Sequence, residues 1–377
     1  MYADSVARVK GGEEASPGDL AVVFDRRRDR FLAVGLYDPH SPLRIRIVHR
    51  GAPVRVDAAF WREAVTRAYA LRASLLATDT NAYRLLNGES DGTPGLVADV
   101  YADVLVLKVY TLAWGPWLDQ VLASALELTG CTTAVLRLSR KVAVSADLPA
   151  GWRDGAVLTG ALADSVVEFR EHGVRLAADV LAGHKTGFFL DHRDNRRRVG
   201  ELAHGRHVLD VFSYAGGFAA HALVGGAAEA TALDVSPQAL AVARANAARN
   251  GVAGRLHTIA GDAFAELARL GESGERYGLV VVDPPSFAKR ASEVDGALRA
   301  YRRLTRLAVP LVEPGGTLVL ASCSARVLAE AFYALQADAL DRSGRPWREL
   351  ARTGHDVDHP AVFAEARYLK SLYVELG

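Results

Sequence analysis

From about residue 18 to 50 the chain reads "GDLAVVFDRRRDRFLAVGLYDPHSPLRIRIVHRG", short apolar, β-branched runs separated by charged, Pro and Gly turns. That alternation predicts a small β-domain. Residues 57–75, "DAAFWREAVTRAYALRASL", space their apolar side chains as one face of a helix. "RLLNGESDGTPGLVADVYADVLVLKVY" then predicts a Gly/Pro loop and a hairpin, followed by a helix over 115–129 and a strand at "TAVLRLS". "VVEFREHGVRLAADV" predicts another hairpin, turning at His172-Gly173.

The pattern then changes. "HVLDVFS", "EATALDVS", "RLHTIAGD", "YGLVVVDPP" and "GTLVLASCS" are short apolar runs separated by stretches of helical period. Such alternation predicts a doubly wound, mostly parallel α/β sheet. "PWRELARTG" and "RYLKSLYVEL" add closing strands. The expected division is a β-domain over 1–54, a central α/β domain over 55–165 and a larger α/β domain over 166–377. A chain of 377 residues suits two or three domains. Neither an internal repeat nor a low-complexity tract is found.

Composition removes several classes of function. No apolar run reaches the roughly 18–20 residues of a membrane span, and "MYADSVARVKGGEEASPGD" lacks the order of a signal peptide. The 2 cysteines form no disulfide framework and no zinc-spaced cluster. The expected location is the cytoplasm, with no metal. The net charge of +1 does not by itself announce nucleic-acid binding. Arginines nevertheless cluster in "DRRRDR" (25–30), "HRDNRRR" (192–198) and "RAYRRLTR" (299–306), each either a solvated face or a phosphate contact.

In open α/β sheets ligands sit beyond the carboxyl ends of the strands. Sorted by that rule, Asp210 ends the first strand of the last domain, Asp234 the second and Asp283 the fourth, while Asp262 follows the third. After Asp210 comes "VFSYAGGFAAHAL", where Gly216-Gly217 would let backbone approach a ligand closely. The run is not GxGxxG and no phosphate-binding Lys follows, which weakens dinucleotide and nucleoside-triphosphate readings. Asp234 stands where an acid bonds the ribose hydroxyls of an adenosyl group, and Asp262 suits an adenine amine. One such acid is commonly a structural cap. Four on successive strands point to a site.

The ordered set "DVFSYAGGF", "ALDVS", "GDAF", "VVVDPPSF" and "LVLASCS" resembles class I S-adenosylmethionine-dependent methyltransferases, and more closely the ribosomal RNA large-subunit (cytosine-5) methyltransferase family. "GLYDPHSPLRIRI", "RLLNGESDGTPGLVADVY", "GHKTGFFLDHRDNRR" and "DHPAVFAEARYLKSL" extend the resemblance over nearly the whole chain. It implies a PUA-type RNA-binding domain, a central α/β domain and a Rossmann-like catalytic domain. S-adenosylmethionine would be the cofactor and ribosomal RNA the partner, without a membrane; a homodimer is compatible with it. The cofactor would be held by Asp210, Phe212, Ser213, Tyr214, Ala215 and Gly216, by Asp234 with Val235, by Asp262 with Ala263, and by Asp283 with Pro284. The loop "KTGFFLD" would cover it through Lys185, Thr186, Phe188, Phe189 and Asp191; the two phenylalanines could equally be a packed aromatic pair.

Carbon 5 of cytosine is a poor nucleophile. A thiolate adding to carbon 6 breaks the aromaticity and makes carbon 5 electron-rich, which is covalent catalysis. Cys323, past the fifth strand, is placed for that role, and Asp283 for a bond to ring nitrogen 3 as a positioned acid. The alternative for Cys323 is a small buried hydrophobe; Cys131 has no polar surroundings and is read as structural. The two prolines hold the Asp283 loop extended. Pro285 and Phe287 would face the base, Phe287 by stacking, while Arg196 and Arg197 would meet phosphates.

Two departures from the family are visible. Ser286 occupies a position where many RNA cytosine-5 enzymes carry a second, adduct-releasing cysteine. Family members also begin earlier, with a basic strand-and-turn segment, so a shortened PUA-type domain is expected. Two rival readings remain. "DPPSF" also resembles the loop that holds an exocyclic amine for nitrogen methylation, and a non-catalytic RNA-binding protein on this fold is the third reading.

Overall fold

Apolar alternation in strands and apolar stripes on most helices build two units in the computed structural model, which describes residues 1–377 except 7, 8, 10–14, 26, 28 and 29. Part of the "DRRRDR" cluster therefore lies outside the described residues. The first unit comprises residues 1–171, 177–190 and 357–360, and the second 172–176, 191–356 and 361–377. Each unit is thus discontinuous in sequence.

In the first unit, β1 (Leu20–Phe24), β2 (Phe31–Tyr37) and β3 (Ile45–Arg50) form an antiparallel sheet. A second sheet runs β4 (Ala82–Asn87), β5 (Leu96–Tyr101), β6 (Val104–Val109), β7 (Thr133–Leu138) and β8 (Ala156–Thr159), antiparallel except between β6 and β7. The helix Ala58–Leu71 starts where Asp57 accepts from the amides of Ala59 and Phe60. It buries Trp61, Ala64, Val65 and Ala68, one stripe of helical period, and the Trp61 ring lies 4.9 Å from Trp114.

Buried charge in this unit is fully paired at one residue. Arg72 uses all five guanidinium donors: two on Asp91, and one each on the carbonyls of Ala68, Arg84 and Asp358. Asp358 also accepts from the Arg84 amide, at 2.9 Å. This is how residues 357–360 belong to the first unit. The strands β9 (Val166–Glu171) and β10 (Val174–Asp179) follow, turned at His172 (φ 47°) and Gly173 (φ 83°), the paired positive φ of a tight hairpin.

The second unit is built on a seven-stranded sheet: β11 (His207–Val211), β12 (Glu229–Asp234), β13 (Leu256–Ala260), β14 (Tyr277–Val282), β15 (Val312–Ser322), β16 (Trp347–Thr353) and β17 (Lys370–Leu376). Their spatial order is β13-β12-β11-β14-β15-β17-β16, parallel through β15 and antiparallel at β17 and β16. Strands β14 and Thr317–Ser322 of β15 are buried throughout, as expected of strands covered on both faces. The chain reverses its winding between β11 and β14, and there the carboxyl ends of the strands open a crevice. The doubly wound expectation is met.

Candidate active site

Asp210 is the penultimate residue of β11, next to the crevice, and is fully buried, at 0% exposure. One carboxylate oxygen accepts from the Ala219 amide at 3.0 Å, capping the first turn of the helix Gly217–Val224. The other has no partner among the described residues. Burial first, then the charges of Asp283 and Asp234, push its pKa up to about 7, against the pull of the Ala219 bond. Ser213 Oγ, also buried, is the second orphaned polar atom on this turn. The turn itself is strained, because Phe212 (φ 64°) and Tyr214 (φ 48°) hold left-handed backbone that costs about 1 kcal/mol or more each.

Asp234 braces that turn from the next strand. Its carboxylate accepts from the amides of Tyr214 (2.8 Å) and Ser236 (2.9 Å). Beside it Val235 stands 73% exposed, an apolar side chain with nothing over it. Asp262 caps the helix Ala263–Glu272 by accepting from Ala265 at 3.0 Å. Gly216 (φ 69°) is glycine for a reason other than ligand approach: a Cβ there would meet Ala243 Cβ at 2.6 Å. Its bareness lets the helix Pro237–Arg249 pack against the turn.

Asp283 and Cys323 follow neighbouring parallel strands, β14 and β15. Cys323 is half-buried, with Sγ 3.9 Å from the carbonyl of Pro284. Ser286 and Ser324 both donate to the Ala288 carbonyl, at 3.3 and 3.0 Å, so the loops carrying the acid and the thiol share one acceptor. Tyr301, from the helix Val294–Ala308, shares a 2.8 Å hydrogen bond with Ser322.

The model of the S-adenosylmethionine-dependent methyltransferase family matches residues 96–344, and that of the PUA-like domain matches residues 1–50. The chain belongs to the S-adenosylmethionine-dependent methyltransferases. It is 50% identical over 383 residues to a ribosomal RNA large subunit methyltransferase of Deinococcus radiodurans, covering 100% of this chain and 93% of that one. It is 34% identical over 374 residues to the ribosomal RNA large subunit methyltransferase I of Enterobacter sp. strain 638, covering 98% and 93%. Among solved structures, a protein described as a methyltransferase and complexed with SAH superposes with a TM-score of 0.81 at 20% identity, covering 96% of this chain and 92% of that chain. A SAM-dependent methyltransferase from Streptococcus mutans gives 0.80 at 19%, with the same coverage. These two likenesses concern the fold.

S-adenosylmethionine is thus the methyltransferase's cofactor, and the crevice fits it. Asp210 and Ser213 offer unpartnered polar atoms, and Val235 an open apolar face. Other expected site residues have these surroundings. Phe188 is packed in the first unit, its ring 5.2 Å from Phe169 and its amide donating to Tyr101 at 3.0 Å. There too Thr186 donates to Asp99, and the Lys185 ammonium lies 4.5 Å over the Phe189 ring. Asp191 accepts from Tyr368 at 2.8 Å. Phe287 packs against Tyr301 with ring centres 5.2 Å apart, and Pro285 is exposed.

The arginines of the helix Arg193–Leu202 correct the reading of a phosphate-binding cluster. Arg196 is 3% exposed and presents no charge to solvent. Arg197 is paired with Asp194 and Glu201, and Arg198 with Asp194. Arg299, Arg302, Arg303 and Arg306 occupy the exposed face of the helix Val294–Ala308, where Arg302 pairs with Asp338 and Arg303 lies over the Phe264 ring.

Two residues of the methyltransferase escaped the sequence reading. His192 Nε2 lies 3.3 Å from Asp283 Oδ1, although its histidine sits inside the arginine cluster. Lys370 is 1% exposed, and its ammonium donates to the carbonyls of Ser324 and Val327 (2.6 Å each) and Tyr368 (3.1 Å). "KSLYVEL" reads only as a strand, and no local signal marks its first residue.

Proposed function

We propose that this methyltransferase acts on large-subunit ribosomal RNA, methylating carbon 5 of a cytosine through a covalent adduct with Cys323. The observation that carries the reading is the half-buried thiol beside the carbonyl of Pro284, on the strand next to Asp283. The relatives named as ribosomal RNA large subunit methyltransferases support the RNA class, and the match to a PUA-like domain suits RNA capture.

Asp210, Ser213, Asp234 and Val235 would hold S-adenosylmethionine, which supplies an electrophilic methyl group. Cys323 Sγ forms a bond to carbon 6 as the carbon 5–carbon 6 π bond opens, and the electron pair moves toward carbon 5 and the ring. Asp283, entering the step protonated, donates that proton to nitrogen 3 and so neutralises the charge as it develops. After methylation the carbon-5 proton passes to a base or water, the π bond reforms and the thiolate leaves. With Ser286 where a second cysteine would stand, release falls to water or another base.

RNA carrying 5-fluorocytidine at the target should trap a covalent complex that requires both S-adenosylmethionine and Cys323, because fluorine replaces the proton whose loss frees the enzyme. Cys323→Ala should abolish turnover while leaving cofactor affinity nearly intact. Methylation by Cys323→Ala at the wild-type rate would refute the adduct and leave the amine-methylating reading of "DPPSF" in its place.

A further inference from the structure

A buried ammonium needs either a counter-ion or enough acceptors to replace water. Lys370 has acceptors only. Its three bonds all go to neutral backbone carbonyls, and no carboxylate pairs with it among the described residues. Three converging acceptors select the charged form, since an ammonium offers three donors and a neutral amine two. The cage therefore fixes a positive charge in the interior and leaves it without an anion.

The chain around that charge is the loop after Cys323. Lys370 pairs with Ser322 across β15 and β17, one residue before the thiol. It grips the carbonyls of Ser324 and Val327, one and four residues after it. With every donor taken, Lys370 can act on the sulfur only through its field. Lys370 from β17 and Tyr301 from the helix Val294–Ala308 both interact electrostatically with Cys323, and Asp283 follows the neighbouring strand. Burial pushes the pKa of the Tyr301 hydroxyl up and holds it neutral. Of these groups, Lys370 carries the charge that favours a thiolate. Burial lowers the lysine's own pKa to about 8, against the opposing pull of a charge on Cys323.

We propose that Lys370 is a positioning residue that holds Cys323 as a thiolate at neutral pH, serving as the fixed counter-charge of the nucleophile. The thiol's proton leaves to solvent, which the half-buried sulfur reaches. This rests on the reading of Cys323 as the nucleophile and names what activates it.

The test is alkylation of the full-length protein by iodoacetamide across pH 5.5–10, over which the thiolate fraction of an ordinary thiol rises by about three decades, with the Cys323 peptide quantified by mass spectrometry. In the wild-type protein Cys323 should titrate below the ordinary value of about 8.5. Lys370→Met keeps most of the stem and removes the charge. It should slow alkylation at pH 7 by about tenfold or more, one pKa unit or more of thiolate fraction, with S-adenosylmethionine affinity unchanged. A wild-type thiol titrating at or above about 8.5 overturns the proposal, and this arm needs no variant to fold. So does a folded Lys370→Met protein with the wild-type profile. Because alkylation involves no RNA, a failed 5-fluorocytidine trap would sink the adduct while leaving this result standing.

Discussion

His192 faces Asp283 with its Nε2 nitrogen, and Asn195 fixes which nitrogen carries the proton. Nε2 approaches Oδ1 to 3.3 Å as an ion-pair contact and not as an aligned hydrogen bond, while the Asn195 amide nitrogen, which only donates, faces the other ring nitrogen. Nδ1 is then an acceptor and takes a bond from Asn195 Nδ2 at 3.0 Å. The amide oxygen of Asn195 accordingly receives the hydroxyls of Thr353 (2.6 Å) and Tyr373 (3.0 Å). Thr353 and Tyr373 thus orient Asn195, and Asn195 orients His192 beside Asp283.

His192→Ala should therefore lower kcat by about 100-fold, the cost of a misplaced reacting group, with little change in cofactor affinity. His192→Gln retains a donor at similar reach and should recover much of the loss. Steady-state kinetics with ribosomal RNA check this, and equal rates for the two variants would remove the His192–Asp283 contact from the argument.

Asp210 makes stability and cofactor choice depend on pH. Its folded pKa of about 7 lies above the unfolded value of about 3.9, so between them the folded chain holds a proton the unfolded chain lacks. The stabilisation is complete below about pH 4, declines as pH rises and is gone above about 7, a total on the order of 4 kcal/mol. Asp210→Asn should melt progressively higher than wild type as pH goes from 5 to 8. Ionised Asp210 also attracts a sulfonium but not a thioether. The ratio of S-adenosylmethionine to S-adenosylhomocysteine affinity should rise through pH 7 by calorimetry, and in Asp210→Asn it should stay flat.

Arg72 should tolerate no replacement. Lysine offers three donors where Arg72 satisfies five acceptors, so Arg72→Lys leaves at least two buried oxygens bare. Arg72→Met leaves Asp91 as an unpaired buried charge, at a cost of roughly 3–5 kcal/mol. Tryptophan fluorescence in urea follows this unit, which holds Trp61, Trp114, Trp117 and Trp152. A midpoint within error of wild type for Arg72→Met would contradict the network's role.

The acids at the strand ends were legible because a parallel sheet collects the last residue of every strand on one edge. Asp210, Asp234 and Asp283 could be assigned to that edge from apolar runs alone. The partners of those acids were not legible. Which turn of a helix meets the edge depends on packing, and the helix Arg193–Leu202 hides its buried stripe under polar letters: Arg193, Arg196, Val199 and Gly200 face inward. Read by composition, that stripe is a basic cluster; folded, it delivers His192 to Asp283. Asp358 is similar, because its place beside Arg72 joins residues far apart in the chain. Gly216 was seen as special, but the reason, Ala243 in a later helix, lay outside its own neighbourhood.

The strand β17 runs between β15 and β16, although its residues, Lys370–Leu376, are made after both. On the ribosome, β15 must wait with one edge unpaired until those residues emerge, and its Thr317–Ser322 stretch is buried in the finished protein. An exposed apolar strand edge invites pairing with other chains. The growing chain is therefore open to aggregation until β17 pairs with β15. The same event that closes the sheet brings Lys370 to the loop after Cys323.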